Sequence, residues 1–182
     1  MISAGVLRRP RTGLMAIVAL GFAALVLLTA CTPSVNAEME TYTGINAIRT
    51  AQGLPPLTPD ANLVTVARIR SAYMAANSSP PPNIYFTHFP PDGCNYDGRV
   101  AAAYLCIMDN NGVPHAYAGE NIAWNTWDWA QTADEAVQAW HNSPPHMENI
   151  LNCHYQRFGT GVAKAADGKV YYTMIFEGNA SC

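Results

Sequence analysis

Hydrophobic positions fall into helical stripes through most of the chain and into alternating runs only near its end. Between Glu38 and Gln52 (EMETYTGINAIRTAQ), Tyr42, Ile45 and Ile48 share one face and Gly53 supplies a stop, which predicts a helix. Leu54-Pro55-Pro56-Leu57 reads as a rigid connector. Asp60 is placed to cap a second helix reaching about Ala76, with Leu63, Val66, Ala67, Tyr73 and Met74 on its apolar side. Two breakers follow, residues 77–83 (NSSPPPN) and Pro90-Pro91-Asp92-Gly93. Asn95 to Ala118 has no clean period and reads mostly as loop, with a short helix near Arg99–Tyr104. Thr132-Ala133-Asp134-Glu135 has the form of a capping box, and Ala133, Ala136, Val137 and Trp140 recur at helical spacing. Pro144-Pro145 ends that helix, and a short one restarts through Leu151. Asp167-Gly168 joins the β-rich runs Gly161–Ala166 and Lys169–Phe176, the signature of a hairpin. Helices first and strands last predict an α+β fold with helices packed on an antiparallel sheet.

The amino end reads differently. Arg8, Arg9 and Arg11 precede an uncharged, apolar run from Leu14 to Ala30, the layout of a secretory signal. Leu28-Thr29-Ala30-Cys31 resembles a bacterial lipobox, in which Cys31 becomes the lipid-modified first residue. A signal-peptidase site near Val35-Asn36-Ala37 and an uncleaved anchor are the alternatives. All three place the domain outside the cytosol, and the lipid would hold it on the outer face of the cell membrane. Residues 1–30 are thus read as signal peptide, 31–37 as a tether and 38–182 as the domain.

The five cysteines fit that compartment. With Cys31 given to lipid, Cys94, Cys106, Cys153 and Cys182 remain, and four cysteines allow three pairings. The expected bridges are Cys94–Cys106, closing a Gly/Asn/Asp-rich loop, and Cys153–Cys182, tying the last residue back to the body. No closely spaced Cys pair suggests a zinc knot. The net charge of −3, with no basic cluster beyond the first eleven residues, argues against a nucleic-acid partner.

Among five histidines, His88 (Phe86-Thr87-His88-Phe89) and His146 (Ser143-Pro144-Pro145-His146) stand out with Glu120 (Gly119-Glu120-Asn121). Each lies beside a breaker or an aromatic. Neutral imidazole and carboxylate suit Zn²⁺ or another divalent cation, or equally a hydrogen-bond network that fixes a cleft. A carboxylate beside the imidazoles would raise their pKa. Ser143 and His146 are poor candidates for a nucleophile and base, because Ser-Pro at a helix end is ordinarily a turn. Trp124, Trp127, Trp129 and Trp140 either line an apolar groove or pack beneath a loop.

The order of short motifs carries more than any one of them. Asn46-Ala47-Ile48-Arg49, Gly53-Leu54-Pro55-Pro56-Leu57, Phe86-Thr87-His88, Gly119-Glu120-Asn121-Ile122-Ala123, Ser143 to Leu151 (SPPHMENIL) and Gly159-Thr160-Gly161-Val162-Ala163 follow one another. The series closely resembles the bacterial branch of the CAP superfamily, which groups cysteine-rich secretory, antigen 5 and pathogenesis-related proteins. The resemblance spans about residues 38–177 and implies an α–β–α sandwich with a central cleft. In the family that cleft often presents two His and two Glu, and some members bind a divalent cation through the His pair. By position His88 and His146 match the histidines and Glu120 one glutamate. Ser143 stands where eukaryotic members carry the second, so the carboxylate that a two-glutamate mechanism needs is missing at that position. The resemblance implies a binding module for metal, lipid, sterol or an envelope protein rather than an enzyme. A metal-assisted hydrolase acting on peptide or envelope substrates, with Glu120 as base, is the competing reading.

Overall fold

The computed structural model describes residues 33–79, 82–89, 95–96, 99–126 and 132–182. The elements run α1 (Pro33–Ala51), β1 (Thr58–Pro59), α2 (Ala61–Ala76), β2 (Asn95–Tyr96), β3 (Arg99–Val100), α3 (Ala103–Asn110), β4 (Ala118–Asn125), α4 (Thr132–His141), α5 (Pro144–Ile150), β5 (Tyr155–Lys164) and β6 (Val170–Gly178). The main sheet has the order β1-β5-β6-β4, and β2 pairs with β3 separately. The fold is α+β, as expected, and its three long strands are antiparallel. The two-residue β1 departs from that expectation by pairing with β5 in parallel, Thr58 opposite Arg157.

Alternation along β6 shows why the sheet takes helices on both faces. Tyr172, Met174 and Phe176 join a core with Ile45, Leu57, Trp140, Ile150 and Phe158 beneath α1, α4 and α5. Tyr171 and Ile175 point the other way, against Met74 in one cluster and Leu63, Val66, Ala67 and Met108 of α2 and α3 in another. A strand buried on both faces reads as a continuous apolar run, which Val170–Phe176 nearly is. The result is the expected sandwich, helices–sheet–helices. Each fully buried Leu, Val or Met contributes about 1.5–3 kcal/mol relative to exposure.

Local chemistry sets the element ends. Asp60 caps α2 as expected, its carboxylate accepting from the Asn62 and Leu63 amides. Asn46 in α1 both donates to the Leu57 carbonyl and accepts from the Leu57 amide, which pins the proline-rich connector. The stretch read as a tether is helical from Pro33, because proline is well suited to a first helical turn and the buried Ala37 and Glu38 anchor it. The helix expected near Arg99–Tyr104 lies later, at Ala103–Asn110, and residues 99–100 are extended. Asp167-Gly168 does form the hairpin turn, with Gly168 at φ 92°, but the strands are longer than the predicted runs.

Cys153 and Cys182 are bridged, with Cα atoms 4.8 Å apart. Cys106 is also disulfide-bonded; Cys94, its expected partner, lies outside the described residues, as do Cys31, Trp127 and Trp129. The two described expected groove tryptophans serve separate ends. Trp140 is core and donates from Nε1 to the Ile122 carbonyl at 3.0 Å, whereas Trp124 is exposed, with the Lys169 ammonium 5.5 Å from its ring.

Candidate functional site

The site grows from β4, which ends the sheet opposite β1. Because successive residues of a strand face opposite sides, Glu120 and Asn121 are presented to different helical layers. Glu120 meets α2, where the Arg70 Nε donates to Oε1 at 3.0 Å, both side chains being buried. Arg70 also donates to the carbonyls of Tyr85 and Thr87. One guanidinium therefore fixes both the carboxylate and the loop that leads into His88. His88 Nδ1 lies 2.6 Å from Glu120 Oε2. An ionised carboxylate only accepts, so the neutral ring carries its proton on Nδ1 and its lone pair on Nε2. The His88 side chain is 40% exposed while that of Glu120 is 1% exposed.

Asn121 works on the other side. Its Nδ2 donates to the His146 carbonyl at 3.1 Å, and Asn149 Nδ2 donates both to Asn121 Oδ1 and to the Glu120 carbonyl. These bonds clamp α5 to β4. Gly119 is needed beside them, since a Cβ there would overlap the Tyr155 hydroxyl. His146 is half-buried, and its Nδ1 has no hydrogen-bond partner among the described residues. Burial, aided by the neighbouring charge of His88, pushes the His146 pKa down. That corrects the expectation that a nearby carboxylate would raise the pKa of both imidazoles: Glu120 sits against His88, and at His146 desolvation dominates. Nearby, burial and the charge of Glu120 push the Tyr104 phenol up, so it stays neutral and donates to the Ala118 carbonyl.

Glu120 touches His88 directly, and His88 is close enough to His146 to act on its charge state. Glu120, beside the breaker Gly119, lies in regular structure as the third residue of an eight-residue strand. Ser143 caps the start of α5 in extended geometry, without a side-chain capping bond. Arg70, Asn121 and Asn149 were absent from the sequence-predicted set. Arg70 had a signal, because it occupies a helical-face position in line with Leu63, Val66, Ala67 and Met74, where an arginine is out of place.

Chemically, the arrangement offers one imidazole oriented by a carboxylate and a second with an unpartnered ring nitrogen. A histidine oriented by a carboxylate is the usual support of a metal-ligating imidazole. The residues present therefore fit a divalent cation, His88 and His146 as ligands and Glu120 behind His88. Both oxygens of Glu120 are already engaged.

Residues 42–176 match the Cysteine-rich secretory protein family (CAP). The uncharacterized protein YkwD of Bacillus subtilis (strain 168) is 35% identical over 121 residues, covering 66% of this chain and 40% of YkwD. The uncharacterized membrane protein YlbC of the same organism is 32% identical over 134 residues, 72% of this chain and 31% of YlbC. The chain thus spans less than half the length of either relative. Among solved structures, an extracellular protein containing a SCP domain from Bacillus anthracis str. Ames superposes with a TM-score of 0.60 at 26% identity, covering 79% of this chain and 40% of that one.

Proposed function

The chain belongs to the cysteine-rich secretory protein (CAP) family, and from that premise we propose that it is an extracytoplasmic binding module whose His88–Glu120–His146 cleft takes a divalent cation such as Zn²⁺. The observation that carries the reading is the Arg70–Glu120–His88 relay, which fixes the tautomer and orientation of His88 before any ligand arrives. The unpartnered Nδ1 of His146 supports it, since a buried polar atom left without a partner costs about 1–3 kcal/mol. The cation would supply Lewis acidity or a bridge to an oxygen-bearing ligand. The chain's residues hold the two imidazoles, keep His146 neutral and exclude the Glu120 carboxylate from solvent.

Binding is favoured over metal-assisted hydrolysis because the Glu120 side chain is buried between Arg70 and His88, so a water reaches it as base only if that cluster opens. Ser143 at the start of α5 supplies no second carboxylate.

Calorimetric titration of Zn²⁺ into the full chain is expected to show saturable binding that the His88→Ala/His146→Ala variant loses. Identical traces would overturn the reading. The pH profile follows from the His146 shift. A metal needs neutral imidazole, and a pKa pushed below the ordinary value of about 6.5 keeps His146 neutral to lower pH than a free imidazole. Proton competition at His146 is therefore expected only below about pH 6.5, and an NMR titration in which the His146 ring takes up its proton above about pH 7 would contradict it.

Anchoring belongs to the same proposal. No helix among the described residues is long and apolar enough to cross a membrane, and the lipobox-like Leu28-Thr29-Ala30-Cys31 would attach the domain through lipid on Cys31. Cys31→Ser is expected to shift the protein from membrane to soluble fraction or leave it unprocessed. An intact mass showing an unmodified amino terminus at Glu38 would refute lipidation. A cleft so placed would present its cation to a lipid, sterol or envelope-protein ligand outside the cell.

A further inference from the structure

A second set of metal-compatible side chains lies away from this cleft, where β5 begins and the tail after β6 returns to it. Among the described residues, Cys153, His154 and Cys182 bring one ligand atom each to within 4.8 Å of one another. The Cys182 Sγ lies 3.5 Å from Nδ1 and 3.4 Å from Nε2 of His154. A thiolate at about 2.3 Å and an imidazole nitrogen at about 2.0–2.1 Å on one tetrahedral ion sit about 3.5 Å apart, so this pair already has the separation of two zinc ligands. A turn of the ring, whose two nitrogens are almost equidistant from the sulfur, would aim one of them at the ion. What withholds the site is the Cys153–Cys182 disulfide.

We propose that reduction of the Cys153–Cys182 disulfide exposes a second, Cys₂His cation site, formed by both thiolates and His154, for a thiophilic divalent cation such as Zn²⁺. The reductant is a dithiol. It passes two electrons and two protons to the disulfide, leaving two protein thiols, and closes to its own disulfide. Binding of the cation then displaces the two thiol protons. Cys182 is exposed, as attack by an external thiolate requires.

The sulfurs must part to about 3.8 Å to share one tetrahedral ion, and the two segments that carry them stay together as they do so, because other contacts hold them. The Asn179 amide donates to the His154 carbonyl at 3.1 Å and Gln156 Nε2 donates to the Ser181 carbonyl at 3.2 Å. The Gly178 amide donates to the Tyr117 carbonyl, and the Tyr117 ring lies 5.5 Å from that of His154, which limits its swing. Three protein ligands leave a fourth tetrahedral position open to water or another donor.

Cobalt(II) separates this site from the His88–His146 cleft, because only thiolate ligands give an intense near-ultraviolet charge-transfer band. The full chain is titrated with Co²⁺ oxidised and after reduction with a phosphine, which takes oxygen from water as it supplies the two electrons. The band is expected only after reduction, unchanged in His88→Ala/His146→Ala and absent from Cys153→Ser/Cys182→Ser. His154→Ala, with folding checked by circular dichroism, is expected to weaken Co²⁺ at least about tenfold, the least that loss of even an outer-shell partner brings. A band in the Cys153→Ser/Cys182→Ser variant would assign the metal to other thiols, and an unaltered affinity in His154→Ala would remove the imidazole; either overturns the proposal. So does the absence of any band after reduction. Loss of Zn²⁺ binding by the oxidised His88→Ala/His146→Ala variant bears only on the cleft.

Discussion

Replacing Arg49 with methionine is expected to destabilise the domain by about 3–5 kcal/mol, most of the stability of a marginal fold. Arg49 is fully buried in α1 and faces no carboxylate among its hydrogen-bond partners. Instead Nε donates to the Pro55 carbonyl, Nη1 to those of Ile150 and Asn152, and Nη2 to that of Tyr155. Those carbonyls belong to the connector after α1, the end of α5 and the start of β5, so one side chain satisfies three chain segments that turn inward together. Burial without a counter-ion pushes its pKa down, yet an arginine remains charged at any pH at which the protein is handled. Methionine matches the aliphatic stem but removes all four bonds. The Asn152 carbonyl keeps the Tyr155 amide at 3.4 Å, and each acceptor left unpaired costs about 1–3 kcal/mol before relaxation and water entry reduce the sum. Arg49→Lys should fall between, since an ammonium cannot span four carbonyls in a fork. Urea unfolding followed by circular dichroism checks the series. A methionine variant with the wild-type midpoint would show that water replaces the guanidinium without loss.

Arg49 and Arg70 also show where the sequence was legible and where it was not. Helical periodicity placed α1, α2 and α4, because a stripe of buried side chains leaves its spacing in the sequence. Tyr42, Ile45 and Ile48 identified the inner side of α1, and Arg49 stands on the same side, one turn beyond Ile45. A buried arginine answers to carbonyls or a carboxylate brought from elsewhere in the chain, and pattern alone does not name those partners. Strand β4 escaped because Ala118–Asn125 mixes Gly, Glu and Asn with apolar residues, the polar ones being consumed by Arg70, His88, His146 and Asn149. Glu120 and both histidines stand out in the sequence without any period, by their place beside breakers or aromatics and by the order of motifs. The first helical turns of α1 were read as tether because Ala37 and Glu38 are buried by long-range contacts, Glu38 accepting two bonds from Arg68 of α2.

The second large effect is expected at Gly161, where sheet and helix meet without side chains between them. A Cβ at Gly161 would overlap the backbone of Ala67 and Arg68, and one at Gly159 the backbone of Leu63 and Val64. The two glycines face α2 from β5, two residues apart on the strand, against positions one helical turn apart. Ser71 follows the same line, its hydroxyl donating to the Gly161 carbonyl at 2.8 Å and bonded to the Thr173 hydroxyl at 2.9 Å. Backbone cannot rotate aside as a side chain can, so Gly161→Ala must lift α2 from the sheet, at a cost of about 3 kcal/mol or more. The displacement also reaches the site, because α2 carries Arg70 and Arg70 orients Glu120 and the loop before His88. Zn²⁺ affinity should therefore fall in Gly161→Ala even where circular dichroism shows the chain still folded. Gly53→Ala is the control: it meets nothing within 4 Å and bears only a φ of 75°, a strain of about 1–2 kcal/mol remote from the cleft. Its affinity should be that of the wild type. If Gly161→Ala melts with the wild type and Gly53→Ala does not, close packing of α2 on β5 is not what holds the layers together.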